Sequence, residues 1–378
     1  MSNHKRKHEG GFSLLEMVIA LGLGTVVLGA AVQLYSQGVA ATWVATQRAE
    51  MQQDFRASSD IITRDLSLAG AGLGNGAAIQ LPTSSTIPVY GCDQTSTCYI
   101  NGSSAQYPQQ GSTPYLYGLL TGYDLGPTLN VTQGPTDVVT SVYTDPSFYL
   151  DCYTATVASA TTVTFALNAS GANCTANGAT IQNINDPAEG LTAGDLVLFY
   201  FGSTPVVAEV YGTAPTSTTV TFAASDPLKM NQPSSSAASL ASVATGTTGY
   251  GQRLLVVSYY IDNSPTPARL MRQVSGHSPM PVAESVVYMK FTYNLFNTAT
   301  NSFATQCPNP GASGDVCVSG SDSGLLPNQI TQINIQNMAM DSTLKGSMYG
   351  LAGGDQSIDL ETSVSARNLT YVNNFNNQ

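Results

Sequence analysis

One stretch constrains this chain more than any other: from Phe12 to Tyr35 there are 24 residues, and Glu16 is the only formal charge among them. As a helix rising about 1.5 Å per residue, such a run extends roughly 36 Å, enough to cross a bilayer core of about 30 Å. Lys5, Arg6 and Lys7 precede it. Basic residues on that side favour retention of the short end in the cytoplasm, which places the rest of the chain outside. A carboxylate in an apolar run is costly, about 2.5 to 3.5 kcal/mol at a helix centre, so Glu16 calls for a partner. If the chain were cut after Gly11, Phe12 would carry a new cationic amine four residues away, and the same amine of a neighbouring copy would serve as that partner.

The order basic leader, Gly11-Phe12-x-x-x-Glu16, then a long apolar run resembles the class III signal of type IV pilins and type II secretion pseudopilins. The resemblance implies a leader, 1–11, removed by prepilin peptidase, N-methylation of Phe12, and docking of each subunit into a helical filament through Glu16. It also implies partners: other major and minor pilins and an inner-membrane assembly platform. A signal anchor or a cleaved secretory signal is the plainer alternative. Against the latter, the apolar run is too long and the small residues precede it.

Beyond Tyr35 the pattern turns amphipathic. Val39, Trp43, Met51, Phe55, Ile62 and Leu66 recur at helical spacings, so the helix is expected to continue over 36–70 with that stripe as core. Arg56–Asp60 and Asp60–Arg64 are candidate i,i+4 pairs on its outer face. No proline interrupts Phe12 to Leu68, and Gly70, Gly72, Gly74 and Gly76 end the run. The remainder, 71–378, reads as a β-rich extracytoplasmic head. Strand candidates are 137–143, 195–200, 205–211, 253–260, 285–293 and 329–335. The segment 77–135 is rich in Pro, Tyr, Ser and Gln with few strand signals and reads as an irregular insertion. Thr-Thr-Val-Thr-Phe-Ala occurs at 161–166 and again at 218–223, which suggests two related three-stranded meanders or a chance echo. The fold class is therefore α+β: a long N-terminal helix, its first half membrane-spanning, packed on a largely antiparallel β-sheet head with disulfide-stapled loops.

Six cysteines, Cys92, Cys98, Cys152, Cys174, Cys307 and Cys317, all follow the apolar run. An even number on the oxidising side of a membrane reads as disulfides. Pairing sequential neighbours, 92–98, 152–174 and 307–317, closes three short polar loops, each stabilising by roughly 2 to 4 kcal/mol.

Charge excludes several functions. Without the leader, 10 basic residues face 23 acidic ones, and from Leu66 to Leu228 there is no Lys or Arg at all. No nucleic-acid binding is expected, since phosphate contacts need clustered cations. His277 is the one histidine beyond the leader, so His-rich metal sites are ruled out, and Gly276-His277-Ser278-Pro279 reads as a turn. Gly72 to Ala77 mimics a dinucleotide fingerprint but ends a helix instead of joining strand to helix. Asp315 and Asp322 lack the dense spacing of a calcium loop. No enzyme activity, cofactor or metal is expected.

The C-terminal half adds to the resemblance. Val257 to Asn263, Arg269-Leu-Met-Arg272, Val286 to Tyr293 and Glu361 to Asn368, with Arg64-Asp65-Leu66 and Ala69-Gly70, look like the head of PilW-type minor pilins and J-type pseudopilins. That implies a minor pilin in the assembly, priming or tip of a type IV pilus, residing in the inner membrane with its head in the periplasm and then on the cell surface. The alternatives are a J-type pseudopilin of a type II secretion system and a tip adhesin for cell adhesion. For the adhesin, Tyr107, Tyr115, Tyr117, Tyr123, Tyr143, Tyr149 and Tyr153 are candidate contacts.

Overall fold

A computed structural model describes residues 12–369 apart from 75–77, 85, 130, 133, 169–173, 175–180, 182, 203, 265, 298–300, 311–325 and 342–356. The chain divides into two compact units, Met1–Gln52 with Ser342–Gln356, and Gln53–Asp341 with Ser357–Gln378.

Helix α1 runs from Leu14 to Ser67 without a break. In the first unit its apolar residues from Leu14 to Tyr35 are all exposed, and so is Trp43, at 60%. The expected core stripe therefore splits: Trp43 is not core, whereas Phe55, Ile62 and Leu66 in the second unit are buried. There Phe55, Ser58, Ile62, Asp65, Leu66 and Ala69 repeat at three and four residues and form the face turned to the head. Neither Arg56–Asp60 nor Asp60–Arg64 closes as an ion pair; all three side chains face solvent, where such pairing is worth little. The helix stops where Gly70 takes a φ of +83° and its N–H turns to the Val142 carbonyl, 2.8 Å away.

The segment 77–135 departs from its expected irregularity. It holds β1 (Ala78–Gln80), β2 (Val89–Tyr90), β3 (Ala105–Gln106), β4 (Gln109–Gln110), β5 (Thr113–Tyr117) and β6 (Leu119–Gly122). These strands are two to five residues long, too short for periodicity to register. β6 pairs with β7 (Val138–Thr144), so the segment contributes to the main sheet.

Next come β8 (Tyr153–Ser159), β9 (Thr162–Leu167), β10 (Leu196–Phe201), β11 (Thr204–Glu209), β12 (Thr219–Thr221), β13 (Thr248–Asp262), β14 (Arg269–Val274) and β15 (Met280–Glu284). β13 is 15 residues long and serves two assemblies. Its C-terminal part lies between β7 and β14 in an antiparallel path β6-β7-β13-β14-β15. Its N-terminal part joins β11-β10-β13-β8-β9-β12, and a parallel bridge from Tyr211 to Phe222 brings that path back to its start. The result is a small closed barrel. Alternate residues point inward, Val163 and Phe165, Val197 and Phe199, Val206 and Ala208, Val220 and Phe222, all buried. Phe199 sits centrally, 5.3 Å from the Phe201 ring and 5.4 Å from that of Phe222.

The repeated hexapeptide belongs to this barrel. Its copies do not lead two meanders: β9 and β12 pair with each other, Val163 opposite Val220. Two copies of one Thr/Val pattern make a matched pair of strands, inward residues facing inward residues.

A separate antiparallel sheet has the order β17-β16-β18-β19, from β16 (Val286–Asn297), β17 (Ser302–Cys307), β18 (Ile330–Asp341) and β19 (Ser357–Ser365). Disulfides 92–98 and 152–174 are formed as expected. The third pairing depends on Cys317, which lies outside the described residues, as do Asp315 and Asp322.

Candidate functional site: the N-terminal segment and its helix

Gly11 and the leader lie outside the described residues; the description begins at Phe12, which is 87% exposed. Ser13 caps α1. Its Oγ accepts the Glu16 N–H at 3.4 Å, and the Glu16 carboxylate accepts the Ser13 N–H at 3.3 Å. This reciprocal pair satisfies two of the donors that every helix start leaves unpaired. The Ser13-x-x-Glu16 spacing is its signal in the sequence, a cap not expected from the apolar run alone. Glu16 thus has a partner within its own chain, and its negative charge complements the positive end of the helix dipole. A cationic amine on Phe12 would stand at that same end, where the dipole disfavours it and only the Glu16 carboxylate offsets it.

The next turns show what the exposed helix lacks. One helix among the described residues is long and apolar enough to cross a membrane; its most apolar 18-residue window averages 2.1 in hydropathy, with none of it buried. A Cβ added at Gly22, Gly24, Gly29 or Gly38 would meet nothing within 4 Å. No contact among the described residues therefore calls for glycine there, although each weakens the helix by about 1 kcal/mol relative to Ala. Close approach by another helix is the physical use of such positions. Two threonine hydroxyls on the helix are satisfied locally: Thr25 donates to the Gly22 carbonyl at 2.8 Å and Thr42 to that of Gly38 at 2.9 Å. Neither carries an unmet donor into an apolar surrounding.

Asp65 anchors the far end of the helix to the head. It is 5% exposed. Tyr143 of β7 donates to Oδ1 at 3.1 Å, Tyr259 of β13 to Oδ2 at 2.5 Å, and Arg272 Nε of β14 to Oδ2 at 2.8 Å. Burial, and then the adjacent carboxylate, raise the Tyr143 and Tyr259 hydroxyls far above their ordinary value, so both remain donors. The signal was the Arg64-Asp65-Leu66 triplet; its partners, 78 to 207 residues away, were not readable.

Other residues singled out from the sequence are scattered. His277 sits in a turn, as expected, with its Nε2 2.9 Å from the buried Asp195 carboxylate. Gly72 has a φ of +75° and lies so close to Thr144 that an added Cβ would fall 1.8 Å from Oγ1, a packing role unrelated to any nucleotide. The tyrosines of 105–155 do not form a common surface: Tyr107, Tyr117, Tyr143 and Tyr153 are buried, and Tyr123 is the exposed member.

The model of the prokaryotic N-terminal methylation motif matches residues 6–32. The match upholds the resemblance to a prepilin-type N-terminal signal. No curated protein matches the chain. A type IV-like pilin from Thermus thermophilus aligns in structure over 84% of this chain and 97% of its own, at 8% identity and a TM-score of 0.27. A score that low adds no weight to the likeness.

Proposed function

We propose that this chain is a minor pilin of the PilW type, acting in the assembly, priming or tip of a type IV pilus. The observation that carries this reading is the methylation-motif match on a helix whose apolar face and glycines have no partner among the described residues. Prepilin peptidase removes 1–11 and methylates Phe12. Before assembly the helix spans the inner membrane with the head in the periplasm. On assembly it moves among the helices of other pilins, which replace lipid around it and approach closely at Gly22, Gly24 and Gly29. Glu16 then exchanges its hold on Ser13 for the Phe12 amine of a neighbouring subunit, and this sets the axial register.

Mass spectrometry of sheared surface filaments, searching for a peptide that begins at N-methyl-Phe12, tests the reading. Its presence is the expected result. Mature protein confined to the cell envelope would transfer the assignment to a J-type pseudopilin of a type II secretion system. An uncut N-terminus would refute both.

A further inference from the structure

The outer wall of the barrel carries a hollow that the N-terminal site does not use. It has a volume of about 480 Å³ and lies where β13 runs beside β8. The strand register places its residues. Gly249 pairs with Ala155, which is part of the barrel core, and a Cβ added at Gly249 would stand 2.9 Å from the Phe201 ring. Tyr250 and Thr154, one step beyond that pair, therefore face outward side by side, and Gln252 follows on the same face of β13. Asp151 joins from the 3-10 turn Leu150–Cys152. Asn168 joins from the end of β9, where its N–H bonds the Cys152 carbonyl at 2.8 Å.

Tyr250 stands at the centre of this wall. On its β10 side the Tyr200 ring is stacked against it, with centroids 5.0 Å apart and planes at 22°. Tyr200 is braced in turn, its hydroxyl donating to the Leu73 carbonyl at 3.4 Å. On its β8 side Tyr250 meets Thr154 and the hollow, and it remains 45% exposed. A tyrosine steadied by a second ring, with its far side open, is a rigid apolar platform.

Around that platform the walls are polar and carry little charge. Thr154, Tyr250 and Gln252 make no side-chain hydrogen bond among the described residues. Asn168 and Gln252 end in amides, each able to donate and accept at once, and Asp151 supplies a carboxylate. Among the described residues no Lys or Arg lines the hollow. Arg253, next in sequence to Gln252, is held by Asp145. Phosphate, sulfate and carboxylate ligands are disfavoured here, because they need a cation and would meet Asp151 instead. An apolar side chain is disfavoured too, since it would strand the polar groups it covers. A sugar ring meets both demands, with C–H groups on one face and hydroxyls around its rim.

We propose that this hollow binds an uncharged saccharide, one ring lying on Tyr250 and its hydroxyls bonded by Thr154, Gln252, Asn168 and Asp151. The sugar C–H groups meet the negative face of the tyrosine ring. Each amide takes two neighbouring hydroxyls, donating to one and accepting from the other. The site depends on the head alone and goes beyond any role in assembly.

The test applies the full-length protein, in a detergent without a sugar headgroup, to an array of immobilised neutral, sialylated and sulfated oligosaccharides. Binding to at least one neutral oligosaccharide is expected, with competition by the same sugar free in solution. Tyr250→Ala and Gln252→Ala are each expected to weaken it about tenfold, whereas Tyr250→Phe keeps the platform and stays within about threefold. Tyr123→Ala removes an exposed tyrosine outside the hollow and is expected to bind as the wild type does. Binding to no neutral oligosaccharide, binding to sialylated or sulfated ones alone, or undiminished binding by Tyr250→Ala and Gln252→Ala would overturn the proposal. None of these outcomes touches filament incorporation, so failure here leaves the pilin reading standing.

Discussion

At the scale of single residues, Glu16 caps the helix, and substitution can separate that cap from the docking role proposed for it. Glu16→Ala removes both the cap and the charge; leader removal is expected to continue while incorporation into filaments falls. Glu16→Gln retains a side chain able to complete the capping box but has no charge. Immunoblots of sheared filaments are expected to show both variants excluded; normal incorporation of Glu16→Gln would reduce Glu16 to a helix cap. Asp65 makes a contrasting case. Asp65→Ala strands a half-buried Arg272 and two buried tyrosine hydroxyls and is expected to cost about 3 kcal/mol, read as a lower urea midpoint with processing intact. Asp145 contributes in the ordinary acid sense. Burial would raise its carboxyl, but hydrogen bonds from Ser147 and from Arg253 outweigh that and hold it below its usual value. Its stabilisation is therefore complete above about 3.8 and lost as pH falls below that. Asp145→Asn is expected to flatten the acid limb of the stability profile.

At the scale of elements, glycines in different places make opposite demands. Gly24 and Gly29 meet no neighbour among the described residues, so Gly24→Leu or Gly29→Leu is expected to leave head stability unchanged while incorporation drops. Gly72 is tied to a positive φ and to Thr144, so Gly72→Ala is expected to lower the melting temperature of the head. The barrel has its own aromatic centre, and Phe199→Ala should cost about 3 to 5 kcal/mol. Most of these strands were legible, since 137–143, 195–200 and 253–260 alternate or run apolar over β length. Their partners were not. The hexapeptide at 161–166 and 218–223 was visible as a repeat, but that the copies pair across a barrel depends on β13 being long enough to enter two assemblies.

At the scale of the whole molecule, the N-terminal signal and the apolar run dictate the helix and its exposure because both are local: a cap at one end, a glycine at the other, and no proline between. The absence of cations over 66–228 is equally plain in the sequence. Tertiary structure decided what composition left open. It separated Trp43 from the core stripe, drew β6 out of the 77–135 segment into the main sheet, and set Asp65 against three strands. Helix capping and apolar length are readable along a chain because their partners lie within a few residues. Buried polar pairs are not, because which distant carboxyl, tyrosine or arginine arrives is fixed only when the strands close.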